Sequence, residues 1–238
     1  MAVEATAAWA PSNTNLGIVL LLAPLVRAAV LEAESGNATS LRDSVRRVLD
    51  TTTVDDAREV YAAIRRAAPG GLGRADAQDV ADEPTVPLLQ TMQLAAGRDS
   101  IAREYSTAFA ITFETAVPAL ARARGDGLSW NEAVVETFLH VLAAVPDTHI
   151  ARRAGEPLAV EVSREAQSAL AAGGVRTSEG RAAIDWFHRT LRSGQPANLT
   201  NPGATADLTA AAIFVVLAGG GWTLVDIFQH GGSDAATR

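Results

Sequence analysis

The sequence predicts an all-α fold, a single globular helical domain built around two buried central helices. Alanine is abundant, aromatic residues make up only 5% of the chain, and β-branched residues rarely alternate with polar ones as they do in strands. At 238 residues the chain is long enough for one well-filled domain. We expect this domain to cover residues 1–229, followed by a disordered tail rich in small residues at 230–238.

The amino-acid composition excludes several kinds of chemistry. All 20 basic residues are arginine, which excludes a Schiff-base lysine and a P-loop lysine. The chain has no cysteine, which excludes disulfides and zinc–thiolate sites and is typical of a reducing compartment. A formal net charge of −7 without a basic tract argues against extended nucleic-acid contact. We therefore expect a cytoplasmic protein without a nucleic-acid partner.

The two central helices are predicted from two apolar segments. Residues from Leu16 to Val26 include no polar side chain, so this helix is expected to be buried on all sides. Arg27 interrupts the run before it reaches the roughly 20 residues that a membrane span requires. The second apolar segment, at 208–221, is also too short. Both are therefore predicted to be core helices, Leu16–Val26 and Ala210–Ala218, and no membrane partner is expected.

A polar turn at residues 12–15 leads directly into the first apolar helix. The first N–H groups of a helix have no intrahelical partners, and Gly17 would let a phosphate approach them closely. Asn13, Thr14 and Asn15 could therefore form an anion-binding site. The alternative is ordinary capping, because these residue types are preferred before a helix with or without a ligand.

Capping residues and glycine turns divide the rest of the chain into helices. Ser129 and Glu132 form a capping box, which predicts a helix over Trp130–Ala144. We expect the other helices to run from Thr39 or Ser40 to Leu49, from Thr53 to the Pro69–Gly71 turn, from Pro84 to Leu94, from Asp99 through Phe113 as one long helix, from Glu156 to Leu170 and from Ser178 to Arg192.

The loop from Gly70 to Pro84 is the most acidic part of the chain. Asp76, Asp79 and Asp82 would share one side of a helical turn, and such a cluster suits a hard cation such as Mg²⁺. The alternative interpretation is a solvated turn.

A second polar segment follows the helix that ends at Ala144. Asp147 stands at the start of a new helical turn and Arg152 one turn later, an arrangement in which a carboxylate could hold a metal and an arginine a phosphate. The alternative is a surface pairing of these two residues without functional consequence.

A third polar segment, residues 195–208, repeats the arrangement of the first. Amides and a hydroxyl in a Pro/Gly turn, including Asn198, Asn201 and Gly203, precede the second apolar helix. Asp207 lies just inside that helix and could bring a metal to its start. We predict that the turns around Asn13 and Asn201 open into one shared pocket.

Three segments, 13–22, 147–152 and 198–208, in this order and spacing resemble the triphosphoribosyl-dephospho-CoA synthase family. The resemblance extends from Pro11 to about Phe228. The motifs of this chain are similar to those of archaeal relatives. Bacterial members have His-Lys-Gly where this chain has Asn15, Leu16 and Gly17, and residues 1–10 do not match the Lys-Pro-Gly loop with which most members begin. The family is all-α and uses ATP and 3'-dephospho-CoA, joining a triphosphoribosyl group to the acceptor ribose with loss of adenine.

The resemblance implies a Mg²⁺-dependent transferase acting on ATP and a small nucleotide-like acceptor. Cleavage of a ribosyl–adenine bond passes through a cation-like sugar, which requires a clamped triphosphate and an aligned acceptor hydroxyl. His149 could protonate the leaving base or could only hydrogen-bond within the core. The expected metal ligands are Asp79, Asp147 and Asp207, and the expected nucleotide contacts are Asn13, Thr14, Asn15, Gly17, Arg98, Arg152, Asn198, Asn201 and Gly203.

Two other functions remain open at this point. A catalytically inactive nucleotide-binding or scaffold module would account for the missing lysine. An N-glycosidic hydrolase would differ from the transferase only in using water in place of the acceptor hydroxyl. A homodimer is compatible with each of the three.

Overall fold

The computed structural model describes residues 2–7, 15–35, 40–193 and 200–220. Helices are the regular secondary structure of these ranges, which contain no strand, and this confirms the predicted all-α class. A π-helical turn occupies Ile111–Ala116 and a 3₁₀ turn Gly174–Arg176. The α-helices are α1 (Ala2–Ala7), α2 (Leu16–Ser35), α3 (Leu41–Asp50), α4 (Val54–Ala67), α5 (Leu88–Ala95), α6 (Ser100–Thr107), α7 (Val117–Gly125), α8 (Trp130–Ala144), α9 (Thr148–Ala154), α10 (Glu156–Ala171), α11 (Ser178–Ser193) and α12 (Gly203–Ala218).

The chain divides into two compact units, an N-terminal unit of residues 1–110 and a C-terminal unit of residues 111–238. The prediction of a single domain stays a prediction. The expected tail at 230–238 lies outside the described residues.

In the N-terminal unit, α2 packs against α3, α4 and α6 through one face only. Leu21, Leu25 and Ala28 are fully buried, whereas Val26 and Val30 are 44% and 42% exposed. The prediction of a helix buried on all sides is therefore wrong, because only side chains three to four positions apart share its inner face.

Helix α2 also continues beyond Arg27, where the apolar run was expected to stop. Residues from Leu16 to Glu34 are long and apolar enough to cross a membrane by length and composition, a test that core helices pass as well. Pro24 lacks the N–H that would bond to the Leu20 carbonyl, and Tyr105 Oη donates a hydrogen bond of 2.7 Å to that oxygen instead. The burial that this contact requires raises the pKa of Tyr105.

The long helix expected from Asp99 through Phe113 is broken. Helix α6 ends at Thr107, and Ala108 and Phe109 have φ angles of +50° and +60°. Left-handed backbone at two such residues carries strain, which the complete burial of the Phe109 ring offsets. Arg42 Nε also donates a hydrogen bond of 3.0 Å to the Ala108 carbonyl and holds the break.

The helix predicted from Pro84 begins instead at Leu88. The intervening N–H groups have partners outside a helix: Thr85 N donates to Gln78 Oε1 at 2.9 Å, and Leu88 N donates to the Thr53 carbonyl at 3.1 Å. These bonds hold residues 85–87 in an extended connection to α4.

In the C-terminal unit, α8 packs against α7, α10 and α12. One apolar cluster joins α8, α9, α10 and α11 around Leu139, Leu142, Ile150 and Phe187. Helix α12 is buried over most of its length, although Ala218 at its end is exposed. The capping box of Ser129 and Glu132 is confirmed and lowers the pKa of Glu132, chiefly through the Ser129 hydroxyl.

Candidate functional site

The second and third sequence motifs meet at the side chain of Asp147, where α9 and α12 begin. Asp147 Oδ1 accepts hydrogen bonds from the N–H groups of His149 at 2.8 Å and Ile150 at 3.1 Å. Its Oδ2 accepts from the N–H and the hydroxyl of Thr205, both at 2.7 Å. One carboxylate therefore caps two helices that lie 58 residues apart in the chain.

This geometry bears on both expectations for Asp147, a surface pairing and a metal ligand. The residue is only 2% exposed, so its expected alternative as a surface pairing is wrong. Each carboxylate oxygen already accepts two hydrogen bonds from the protein, which fills the lone-pair positions that a metal would use. The same negative charge stands at the start of α12, where an anion was expected to bind.

His149 lies between Arg153 and the start of α12. Its Nε2 is 3.3 Å from Arg153 Nη1, and because arginine only donates, a hydrogen bond between the two requires Nε2 as the acceptor and the ring proton on Nδ1. A Cβ atom at Gly203 would come within 2.2 Å of His149 Nδ1. His149 and Gly203, which come from two different sequence motifs, are thus in direct contact. Position 203 requires glycine, because a side chain there would collide with the imidazole ring.

Asp207 and Arg152 belong to the same pair of helices. Asp207 is half-buried as the fifth residue of α12, beyond the first turn whose N–H groups need a cap. Simple helix capping therefore does not explain its position. Arg152 is half-buried in α9, one turn after the Asp147 cap.

A pocket of about 1050 Å³ opens between α8, α11 and α12. Asn201, which is exposed, is the one predicted site residue among its described lining residues. The wall is mostly apolar, and the charged and imidazole side chains on it come from α11. The described lining residues are Val134, Val135, Phe138, Leu139, Ile184, Asp185, Phe187, His188, Leu191, Arg192, Thr200, Asn201, Pro202, Ala206, Thr209, Ala210 and Ile213.

The N-terminal unit brings Asp79 and Arg98 within electrostatic range of one another. Asp79 is 5% exposed and accepts hydrogen bonds from the N–H groups of Ala75 at 2.6 Å and Ala81 at 2.9 Å. These bonds are the main cause of the lowered pKa of Asp79, and Arg74 and Arg98 contribute. The carboxylate therefore organises the acidic loop from within.

The other acids of that loop do not converge with Asp79 on a cation. Asp76 is exposed, and Asp82 pairs with Arg74 at 3.3 Å. Across the described ranges of both units, no group of three or more His, Asp or Glu side chains is arranged to hold a metal ion. The expected cation cluster of Asp76, Asp79 and Asp82 is thus not supported by the geometry, and the magnesium site expected from Asp79, Asp147 and Asp207 stays a prediction.

The first motif is only partly described. Asn15 Nδ2 donates a hydrogen bond of 2.7 Å to Thr6 Oγ1 and ties α1 to the start of α2. Gly17 is half-buried in the first turn of α2. Asn13, Thr14 and Asn198 lie outside the described residues, so a pocket shared by the Asn13 and Asn201 turns stays a prediction.

An ionic cluster around the buried Glu136 in the C-terminal unit was not predicted from the sequence. Glu136 of α8 is 3% exposed, accepts a hydrogen bond of 3.1 Å from Val175 N and pairs with Arg176. Arg176 also pairs with Asp126 at 2.6 Å, and these carboxylates raise the pKa of Arg176. Burial lowers the pKa of His140, which lies 3.7 Å from Glu136. A glutamate in the middle of a mostly apolar helix was the one available signal.

Two further residues were not predicted from the sequence, Thr205 and Arg153, which complete the junction at Asp147 and His149. Thr205 is the third residue of α12, the usual position of an N–H that receives a cap, and its place in the Gly203–Asp207 segment was a usable signal. No sequence pattern separates Arg153 from Arg152 as the partner of His149.

Comparison with known proteins places these features in a family. Residues 1–225 match the profile of the family described as ATP:dephospho-CoA triphosphoribosyl transferase. A crystal structure from Archaeoglobus fulgidus that carries the name triphosphoribosyl-dephospho-CoA synthase is similar, with a TM-score of 0.65 and 28% identity over 86% of this chain and 82% of that chain.

Two relatives carry the name 2-(5''-triphosphoribosyl)-3'-dephosphocoenzyme-A synthase. The protein from Lactiplantibacillus plantarum is 26% identical over 86% of this chain and 64% of its own length. The protein from Klebsiella pneumoniae is 32% identical over 42% of this chain and 34% of its own length. The chain thus spans less than two thirds of the curated relatives that it matches.

The location, the oligomeric state and the absence of nucleic-acid and membrane partners stay predictions. The family assignment does not depend on these predictions, because the profile covers all of the described residues and the solved structure shares their fold. The chain therefore belongs to the ATP:dephospho-CoA triphosphoribosyl transferase family.

Proposed function

We propose that the protein transfers the triphosphoribosyl group of ATP to a ribose hydroxyl of 3'-dephospho-CoA or a related acceptor. The bond between the ribose C1' and adenine breaks, a bond between C1' and the acceptor oxygen forms, and the hydroxyl proton leaves with adenine. The observation that carries the proposal is the junction at Asp147, because it brings residues of two family-like motifs, His149 and Gly203, into contact.

The role we assign to Asp147 is positioning. A carboxylate whose four acceptor positions are filled holds α9 and α12 in a fixed arrangement without needing to contact substrate. The proposed reaction needs such a fixed arrangement. Its cation-like transition state depends on the alignment of the two substrates more than on a covalent bond to the protein.

We assign His149 a hydrogen-bonding role. A hydrogen bond from Arg153 uses Nε2 as the acceptor, which leaves Nδ1 as the donor of the ring. An imidazole held in this way can orient a neighbouring group through Nδ1. His149 is therefore proposed to hold the start of α12 or a substrate oxygen rather than to protonate adenine.

Magnesium is proposed to enter with the triphosphate. Mg²⁺ in nucleotide sites is commonly held by one or two carboxylates, water and phosphate oxygens, which does not require three protein acids. Bound in this way, the ion would neutralise phosphate charge. Asp207 is the proposed protein ligand, because it lies half-buried in α12 beyond the capping positions. Arg152 of α9 is the proposed phosphate contact, and the contact expected of Arg98 stays a prediction.

The test is to incubate the pure protein with ATP, Mg²⁺ and 3'-dephospho-CoA and to quantify adenine and the joined product by chromatography. The proposal expects both products in equal amounts and no adenine when the acceptor is left out. Adenine release without acceptor would instead identify a hydrolase. No adenine under any condition, with ATP binding retained, would identify an inactive binding module.

Asp207→Asn tests the metal assignment separately. We expect calorimetry to show that the dependence of ATP affinity on Mg²⁺ is lost while the melting temperature changes little. Unchanged Mg²⁺ dependence in a folded variant would refute the assignment. A loss of about 3–5 kcal/mol of stability with or without metal would show that Asp207 neutralises a buried arginine instead.

A further inference from the structure

The pocket between α8, α11 and α12 differs chemically from a triphosphate site. Its described wall is dominated by apolar side chains, among them Phe138, Ile184 and Ile213. Only Arg192 brings a permanent positive charge to it, and Asp185 brings a negative one. A triphosphate with about four negative charges requires several cations or a metal, which this wall does not supply.

The volume of about 1050 Å³ lies just above the usual range for small-molecule sites, which is roughly 300–1,000 Å³. It can hold a long neutral chain together with part of a nucleotide. Apolar walls with a few polar groups are typical of sites that bury the neutral bulk of a ligand and use the polar groups to orient it.

Resting on the proposed function, we infer that this pocket binds the acceptor through its pantetheine arm, with Arg192 facing the diphosphate. Of the two substrates, only the acceptor combines a long neutral arm with a diphosphate of low charge. The amides of the arm have polar partners in Asn201 and Thr200. The start of α12 stands at the same wall, through Pro202, so an acceptor bound there reaches the helix that carries Gly203 and Asp207.

Two variants change the pocket without touching the junction at Asp147. Ala206→Trp places a large side chain on the pocket wall from an exposed position of α12, and Ala218→Trp is its control on the same helix outside the described lining. Arg192→Ala removes the positive charge, and Arg189→Ala is its control one turn earlier on α11. Melting curves establish that each variant is folded.

The probes are 4'-phosphopantetheine, pantetheine, 3'-dephospho-CoA and ATP, each titrated by calorimetry. We expect Ala206→Trp to weaken the phosphopantetheine and dephospho-CoA complexes at least tenfold and the ATP complex less than twofold. Arg192→Ala should weaken the two phosphate-bearing acceptors about threefold to tenfold while pantetheine is unaffected. Both control variants should bind like the wild type. If Ala206→Trp does not fold, Arg192→Ala carries the test.

Equal acceptor binding in wild type, Ala206→Trp and Arg192→Ala would overturn the inference, as would loss of ATP binding with acceptor binding intact. These results are independent of adenine release by the wild type. A wild type that binds phosphopantetheine in this pocket but releases no adenine would refute the proposed function and leave the acceptor site standing.

Discussion

Replacing Asp147 by asparagine tests whether this residue joins two helices or binds a metal. The amide has nearly the same shape, but only one of its two terminal atoms accepts hydrogen bonds. It can therefore cap α9 or α12 but not both, and its NH₂ group faces the N–H donors of the helix that loses its cap.

The expected loss follows from the bonds involved. One helix cap contributes about 0.5–2 kcal/mol, and loss of the negative charge at two helix starts adds about 0.3–1 kcal/mol for each helix. We therefore expect Asp147→Asn to destabilise the protein by about 2–3 kcal/mol. At this chain length such a loss lowers the melting temperature by about 4–12 °C.

Urea unfolding and thermal melts measure the loss, and Thr205→Val is the matched control. Valine keeps the Thr205 N–H and removes only the hydroxyl that bonds to Oδ2, so it should cost about 1 kcal/mol. If Asp147→Asn is as stable as the wild type but loses Mg²⁺-dependent ATP binding, Asp147 is a metal ligand and the capping explanation is refuted.

Three further predictions follow from other contacts. Gly203→Ala should cost about 1–3 kcal/mol, because its Cβ would lie 2.2 Å from His149 Nδ1, and His149→Ala in the same chain should recover part of the loss in a double-mutant cycle. Hydrogen bonds from Ala75 and Ala81 lower the pKa of Asp79, so wild-type stability should fall as pH drops from about 5 to about 2. Asp79→Asn should flatten this pH dependence, and equal pH profiles of the two proteins would contradict the prediction. Glu136→Gln should lower the free energy of unfolding in urea by about 1–3 kcal/mol. The variant leaves the Val175 N–H and Arg176 with a weaker acceptor, while Asp126 still pairs with Arg176. A change below about 0.5 kcal/mol would show that the ion pair of Glu136 and Arg176 is dispensable.

Helix limits were predictable where the signal is local. The capping boxes at Thr53 and Ser129 act within four residues, and both helices begin where the sequence indicates. The break after α6 had no such signal, because alanine and phenylalanine do not favour left-handed backbone. It is stabilised by the burial of Phe109 and by the bond from Arg42, which lies 66 residues away from Ala108.

The two apolar helices show the same limit in another way. Composition indicated that Leu16–Val26 and Ala210–Ala218 would be buried, and α12 is buried over most of its length. Helix α2 has an exposed apolar edge at Val26 and Val30. The mean hydropathy of the segment does not distinguish this edge from the inner face of the helix. The spacing of side chains around a helix identifies faces, but a segment that is apolar throughout gives no such contrast.

The site was predictable as a set of positions but not as a set of roles. Asp147 stands out in the sequence as a carboxylate at a helix start, and a metal ligand and a cap have the same local pattern. The choice between them depends on Thr205, 58 residues later, whose N–H and hydroxyl occupy Oδ2.

The hydrogen bonds from Thr205 to Asp147 Oδ2 connect the second motif to the third. Because one carboxylate begins both α9 and α12, a shift of either helix moves His149 against Gly203, which have no space between them. If the protein catalyses the proposed transfer, a variant of Asp147 should therefore lower adenine release through misalignment, with the loss independent of Mg²⁺ concentration. Recovery of the activity of Asp147→Asn at high Mg²⁺ would indicate a weakened metal site. A loss of activity that is the same at every Mg²⁺ concentration would indicate a displaced helix start, as the hydrogen bonds of Asp147 lead us to expect.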